Sequence, residues 1–341
     1  MKRAYFVLIS ALILFAGCQP GAPSAPAGDA AAPDQSAAPA AAPAATPQPG
    51  AKLKFAVVPK GLTHQFWLTV KAGADAAGKD LGVEINWVGP EKETEVVKQI
   101  NMIEDQIGAG VNAIVMAACD QDALVDVIKK ALDKKIPVIT IDSGVNSDLP
   151  NSFIATDNVA GAQAAARELA KLIGNEGEVG LIPFVKGAGT SEQREEGFKK
   201  GIAEFPNISI ADIQYSQSDV IKAMNVTEDM LTAHPNLKGI FAANEPAAVG
   251  VVQALEAAGK GGQVKLVAFD AGDDEVAALK KGTIQALIVQ NPFRMGYDGV
   301  KTAHDVLQGK TVEKRIDTGV TVVTMENFET PDVQKLLNPL K

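Results

Sequence analysis

Val264-Lys-Leu-Val-Ala-Phe-Asp270 is a short apolar run that ends on a carboxylate, and its reading decides the fold. The same pattern recurs along the chain. Val138–Ile141 stops at Asp142, Ile240–Ala243 at Asn244 and Ala286–Val289 at Gln290, while Phe55–Pro59 leads to Lys60, His64, Phe66 and Trp67. Continuous apolar runs are the signature of strands buried on both faces, which parallel sheets require. Ligands of open α/β sheets lie in the crevice outside the carboxyl ends of the strands. The chain therefore places its polar residues where a bound molecule would sit.

Working outward, runs at Phe55–Pro59, Val83–Val88, Ala113–Ala117 and Val138–Ile141 read as strands separated by amphipathic stretches of helical length. The second half repeats the scheme at Val179–Phe184, Ile208–Tyr215, Ile240–Ala243, Val264–Phe269 and Ile284–Val289, and Val320–Thr324 adds a further short strand. Strand–helix alternation argues for βαβ units. The predicted fold class is α/β, with two doubly wound parallel-sheet lobes. Asp120 reads as the start of a helix over Gln121–Leu132, Thr190-Ser191-Glu192-Gln193 as a capping box, and Pro246 and Pro292 as first-turn prolines.

The amino-terminal 51 residues differ in kind. Lys2 and Arg3, an apolar stretch from Ala4 to Phe15 and small residues before Cys18 follow the order of a secretory signal. The stretch is shorter than the roughly 20 apolar residues needed to span a bilayer. Phe15-Ala16-Gly17-Cys18 resembles the lipobox of bacterial lipoproteins, with Phe in place of the usual Leu, so Cys18 is the expected lipidation site within a signal peptide over 1–18. Gln19–Ala51 holds 14 Ala and 8 Pro in 33 residues. Such a segment cannot bury enough surface to offset its ordering entropy, and it reads as a disordered tether over 19–51. Extended, it would reach on the order of 100 Å. The expected location is extracytoplasmic, lipid-anchored at a membrane.

Composition excludes other classes. The chain has 32 basic and 41 acidic residues, a formal charge of −9, which becomes −11 once Lys2 and Arg3 leave with the signal. No Lys/Arg cluster supplies the basic face that nucleic-acid binding needs. With Cys18 assigned to lipid, Cys119 stands alone in an apolar run and reads as a small core residue. No metal-ligand or cofactor motif is present, and a monomer is expected.

The body from about Lys54 to Thr324 resembles type I periplasmic sugar-binding proteins of the ribose-binding family. The matching stretches are Val57–Ala74, Ile136–Asp142, Ile154-Ala-Thr-Asp-Asn158, Gly189-Thr-Ser with Arg194-Glu-Glu-Gly-Phe198, Leu231-Thr-Ala-His-Pro235 and Val267-Ala-Phe-Asp270. The resemblance implies two lobes joined by a three-segment hinge, closing over a sugar that is delivered to the permease of an ATP-driven (ABC) importer. It implies an amino-terminal lobe of residues 52–156 plus 291–319 and a carboxy-terminal lobe of 157–290 plus 320–341, with crossings near Thr156-Asp157, Gln290-Asn291 and Val320.

A sugar presents hydroxyls at its rim and apolar C–H faces, so it calls for carboxylates, amides, a guanidinium and an aromatic platform. By residue type and family position, the candidates are Phe66 and Trp67 as the platform, Asp142 and Asp270 as acceptors, Arg194 as a five-donor fork, and Asn244 and Gln290 as amides. His64 stands where ribose binders have Asn, Ser143 where they have a second Arg, and Ser218 where they have an aromatic. Those departures argue against ribose itself, and Lys60, Tyr215 and Gln217 are nearby candidates to compensate. The expected ligand is an unphosphorylated monosaccharide or a cyclitol.

Three rivals remain at this level. An enzyme would need a catalytic motif, but the chain has three histidines and no HExxH, GxSxG, CxxC or Walker sequence; Gly187-Ala-Gly189 is only a fragment of a nucleotide fingerprint. A sugar-responsive transcriptional regulator would need a DNA-binding headpiece. A binding protein serving a sensor or chemoreceptor for a furanose-like signal would share every feature of the lobes.

Overall fold

The computed structural model describes residues 52–339; the lipobox, the tether and Leu340–Lys341 lie outside the described residues. Twelve strands among those residues form two six-stranded sheets. The first sheet contains β1 (Lys54–Val58), β2 (Glu84–Trp87), β3 (Ala113–Met116), β4 (Val138–Ile141), β5 (Ser152–Ala155) and β11 (Arg315–Asp317). The second contains β6 (Gly177–Ile182), β7 (Ile208–Ile213), β8 (Leu237–Ala242), β9 (Lys265–Phe269), β10 (Ala286–Val289) and β12 (Thr321–Val323).

The two sheets share one topology. Their orders are β2-β1-β3-β4-β5-β11 and β7-β6-β8-β9-β10-β12. Every pairing is parallel except β10 with β12, which is antiparallel. Strand order reverses beside β1 in one sheet and beside β6 in the other, the switch points at which doubly wound sheets bind ligands.

Helices cover both faces. The amino-terminal sheet carries α1 (Gln65–Leu81), α2 (Val96–Gly108), α3 (Val125–Asp133) and α9 (Pro292–Leu307). The other carries α4 (Asn158–Leu172), α5 (Gly189–Ile202), α6 (Val220–Ala233), α7 (Glu245–Ala257) and α8 (Asp273–Lys281), with α10 (Pro331–Leu337) beside it. Alternation along β1 explains the layering. Phe55 and Val57 enter the core beneath α1 and α9, whereas Ala56 and Val58 enter the core beneath α2 and α3. This is the two-lobed α/β fold expected above.

The chain passes between the sheets three times: from Ala155 to Asn158, from Val289 to Pro292 and from Asp317 to Thr321. The first and third passages are tied together, since Thr156 Oγ1 donates to the Gly319 carbonyl at 3.2 Å and the Arg315 guanidinium donates to the Thr156 carbonyl at 3.0 Å.

Local expectations fare unevenly. Pro246 and Pro292 do open α7 and α9, capped by the side chains of Asn244 and Asn291. Asp120 does not start a helix. Its carboxylate accepts from the amides of Asp122 and Ala123 in a turn, and α3 begins only at Val125. Thr190 is not a cap either, because α5 already begins at Gly189. The Glu192 carboxylate accepts from the Gly187 amide and the Ser191 hydroxyl from the Phe184 amide, so both serve the loop between β6 and α5 instead. β5 and β11 have no place in the predicted strand set. Each is only three or four residues long, and tertiary pairing supplies what local pattern lacks.

Candidate ligand-binding site

A cavity whose empty space, its opening to solvent included, is about 280 Å³ lies between the carboxyl ends of the two sheets. Lys60, Asp142 and Glu93 line it from the first lobe, together with His64, Phe66 and Trp67 at the start of α1. Phe184, Thr190, Arg194, Asn244, Glu245, Pro246, Asp270 and Gln290 line it from the second lobe and its edge.

Backbone geometry explains how the two aspartates reach it. Asp142 and Asp270 each follow a buried strand directly and have φ of 54° and 86°. That left-handed region is costly for most side chains but tolerated by Asp and Asn. The reversal stops the strand and turns the carboxylate across its end. Strain of this kind gathers at functional sites.

Each cation of the cavity meets a carboxylate. The Lys60 ammonium lies 3.0 Å from Asp142 and donates to Thr190 Oγ1 across the lobes at 3.0 Å. Burial works against the charge on Lys60, but Asp142 and Glu93 outweigh it and raise its pKa. Arg194 donates to Asn158 Oδ1 at 2.9 Å and to the Ala243 carbonyl at 2.7 Å, with its guanidinium 3.8 Å from the Phe269 ring centroid and 4.0 Å from Asp270. Asp270 accepts from Gln290 Nε2 at 2.6 Å and from the Glu245 amide at 3.0 Å. Burial still lifts its pKa above the usual aspartate value.

Glu93 was hidden from sequence reading by its setting in the charged stretch Glu91-Lys-Glu-Thr-Glu95, which looks like a solvated loop. In fact it is 4 % exposed. It accepts from Trp67 Nε1 at 3.0 Å and from the Ser218 hydroxyl at 2.9 Å, and it lies 3.8 Å from His64 Nδ1. Burial opposes its ionisation, yet Lys60, His64 and the indole hold it well below the carboxylate range. The Trp67 indole is therefore a hydrogen-bonded wall, set edge-on to Phe66 with ring centroids 4.9 Å apart.

Of the ten expected ligand contacts, His64, Phe66, Trp67, Asp142, Arg194, Asn244, Asp270 and Gln290 line the cavity, and Ser143 and Ser218 do not. Ser143 is buried behind Asp142, its carbonyl accepting from the Ala118 amide. Ser218 stands behind the wall and links Asn244 Nδ2, at 2.7 Å, to Glu93. Its φ of +56°, like the +57° of Gln217, turns the loop so that the hydroxyl meets the opposite lobe. Lys60 takes the wall position, whereas Tyr215 donates to Glu195 on α5, away from the cavity. Phe184 and Glu245 also line it, and their places at the end of a strand run and beside Asn244 were the signal that could have found them. Cys119 is fully buried, its thiol pKa raised by burial.

A cavity with each cation paired to a carboxylate, with Gln290 Oε1 left without a partner and with an aromatic side suits a compact, hydroxyl-rich solute. The model of the periplasmic binding protein domain matches residues 55–311. The chain belongs to that family. It is 34% identical over 285 residues to a D-ribose/D-allose-binding protein of Pseudomonas aeruginosa, covering 80% of this chain and 89% of the relative. It is 32% identical to the ribose import binding protein of Escherichia coli, covering 81% and 92%. Among solved structures, a solute-binding protein of Agrobacterium vitis with bound D-fucose is 40% identical, with a TM-score of 0.81 over 83% of this chain and 99% of that one. A carbohydrate transporter solute-binding protein of Agrobacterium radiobacter in complex with D-arabinose is 37% identical, with a TM-score of 0.83 over 85% and 100%. These relatives are described as sugar-binding, import-binding or solute-binding proteins. Among the described residues no helix is long and apolar enough to cross a membrane.

Proposed function

We propose that this protein captures a neutral monosaccharide, or a cyclitol of similar size, outside the cytoplasm and delivers it to an ABC importer while tethered to a membrane through Cys18. The observation that carries the ligand class is the charge arrangement of the cavity. Lys60 is matched by Asp142, Arg194 by Asp270 and His64 by Glu93, and Glu245 accepts two backbone amides. An anionic ligand would meet four carboxylates, and a cation would find its partners already engaged. Hydroxyls can share the remaining lone pairs and amide groups without disturbing any pair.

The lobes are proposed to be residues 52–156 plus 291–319 and 157–290 plus 320–341, hinged at the three passages. A ligand that touches both lobes stabilises their closed arrangement because only there does it meet every partner; hinge closure is the known behaviour of periplasmic binding proteins. Relatives that bind ribose, allose, arabinose and fucose support the sugar class, and the replacement of two family positions by Ser143 and Ser218 sets this chain apart from ribose binders.

A thermal-shift screen of neutral pentoses, hexoses and cyclitols, followed by calorimetry of the best hits, tests the reading. At least one neutral sugar should bind with 1:1 stoichiometry. Tight binding of a sugar phosphate with no response to neutral sugars would overturn it.

A further inference from the structure

The amino terminus of α1 has no cap of its own. His64 occupies the N-cap position, yet its side chain makes no capping hydrogen bond. Instead it is turned toward Glu93. The first four amides of a helix lack intrahelical acceptors and need partners from elsewhere. Here the partner comes from the other lobe. The Gln65 amide donates to Glu245 Oε1 at 2.9 Å and the Phe66 amide to Glu245 Oε2 at 2.8 Å. Glu245 is the first residue of α7, so one carboxylate closes the end of a helix in the opposite lobe.

The relationship also runs in reverse. α8 starts after Gly272, whose amide is satisfied within its own lobe by Glu275 Oε2 at 2.6 Å. The next amide, that of Asp273, donates at 2.8 Å to Gln65 Oε1, from α1. Gln65 thus receives a cap through its backbone and gives one through its side chain. Gly272 lies between the two capping groups. A Cβ placed there would stand 3.3 Å from Glu245 Cδ and 3.5 Å from Gln65 Oε1, so its lack of a side chain lets both approach.

We propose that Gln65 and Glu245 form a reciprocal latch, in which each completes the amino terminus of a helix belonging to the opposite lobe when the lobes close. The proposal rests on the two-lobe capture reading above and adds positioning residues to it. A negative charge at a helix amino terminus is favoured by the helix dipole as well as by the orphan amides. Opening the lobes removes three hydrogen bonds together and leaves two helix ends to water. The latch is joined to the cavity through Asp270, whose carboxylate holds the Glu245 amide at 3.0 Å. The group that would grip a ligand therefore also orients the residue that fastens the lobes.

Amide-resolved hydrogen exchange on the full chain, with a saturating neutral sugar from the screen holding the lobes closed, tests this separately from the screen itself. Glu245→Met should speed exchange at Gln65 and Phe66, and also at Asp273, whose own acceptor is untouched, by roughly fivefold or more, as loss of an ordinary helix cap would. Gln65→Met is the reciprocal variant, and it should speed exchange at Phe66 as well as Asp273 after correction for the changed neighbour. Acceleration confined in each variant to the amides that lost their own acceptor would overturn the latch, as would no acceleration at all. Failure of every neutral sugar in the binding screen would instead overturn the proposed ligand.

Discussion

The Lys60 ammonium and the Asp142 carboxylate lie 3.0 Å apart at the ends of β1 and β4, each with a side chain only 3% exposed. Removing one partner of a buried pair strands the other, typically at about 3–5 kcal/mol, whereas replacing both by apolar groups is often neutral. Lys60→Met and Asp142→Leu alone should each lower the denaturant midpoint by an amount in that range. The double variant should recover most of the stability but not ligand binding. Additive losses in the double variant would show that the pair is not coupled.

Arg194 spends its fork on Asn158, the Ala243 carbonyl and the Phe269 ring, beside Asp270. Lysine offers neither the planar fork nor the stacking face. Arg194→Lys should weaken sugar affinity by about ten- to a hundredfold, the equivalent of about 1–3 kcal/mol for buried groups left unpaired. Calorimetry with the best sugar of the wild-type screen measures it, and unchanged affinity would remove Arg194 from the site.

Burial alone would lower the His64 pKa, but Glu93 first, then Glu245 and Asp270, raise it above 6.5. A raised folded-state value means that folding takes up a proton. The stabilisation is complete below about pH 6.5 and is lost as pH rises through the folded value. The melting temperature of the wild type minus that of His64→Gln should therefore be larger at pH 6 than at pH 9. A flat difference would refute the assignment.

Glu275 is fully buried, with burial first and then Asp270 and Glu245 pushing its pKa well above 4.5. Its stabilising contribution is present below 4.5 and is lost as pH rises through the raised value. Gln keeps a carbonyl for the Gly272 amide that Glu275 now accepts. Glu275→Gln should gain on the wild type in melting temperature as pH rises from 5 to 8. A growing deficit would mean that the charged form is the one the fold needs.

α1 and α9 meet through paired glycines. A Cβ on Gly296 would sit 2.0 Å from the Val70 carbonyl oxygen, and one on Gly73 would sit 2.0 Å from that of Phe293. Overpacking of this kind costs about 1–3 kcal/mol. Gly296→Ala should lower the melting temperature while a folded sample still binds sugar, and an unchanged melting point would show that the helices can part freely.

Much of this was legible in the chain. Val138–Ile141 and Val264–Phe269 announced buried strands, and the residues after them, Asp142 and Asp270, do line the cavity. Asn244 and Gln290 followed by the same logic. Glu93 was not legible, because a carboxylate among Glu, Lys and Thr looks solvated until Trp67, His64 and Ser218 are brought around it. β11 was missed because a three-residue strand carries almost no pattern of its own; it exists through pairing with β5 across 162 residues of chain, Arg315 against Phe153 at the near end.

By itself the sequence determined the two parallel sheets and the rim on which polar groups would stand, because burial on both faces dictates unbroken apolar strands and a strand must end where its side chains turn polar. Only the tertiary structure decided which rim groups face one another. Lys60 beside Asp142, Ser218 on Glu93 and Glu245 on the end of α1 are contacts between segments 80 or more residues apart. No local pattern encodes such distances. The first forms within one sheet, where β3 lies between β1 and β4; the other two form where the carboxyl ends of the two sheets meet, and desolvation there makes an unpaired charge costly.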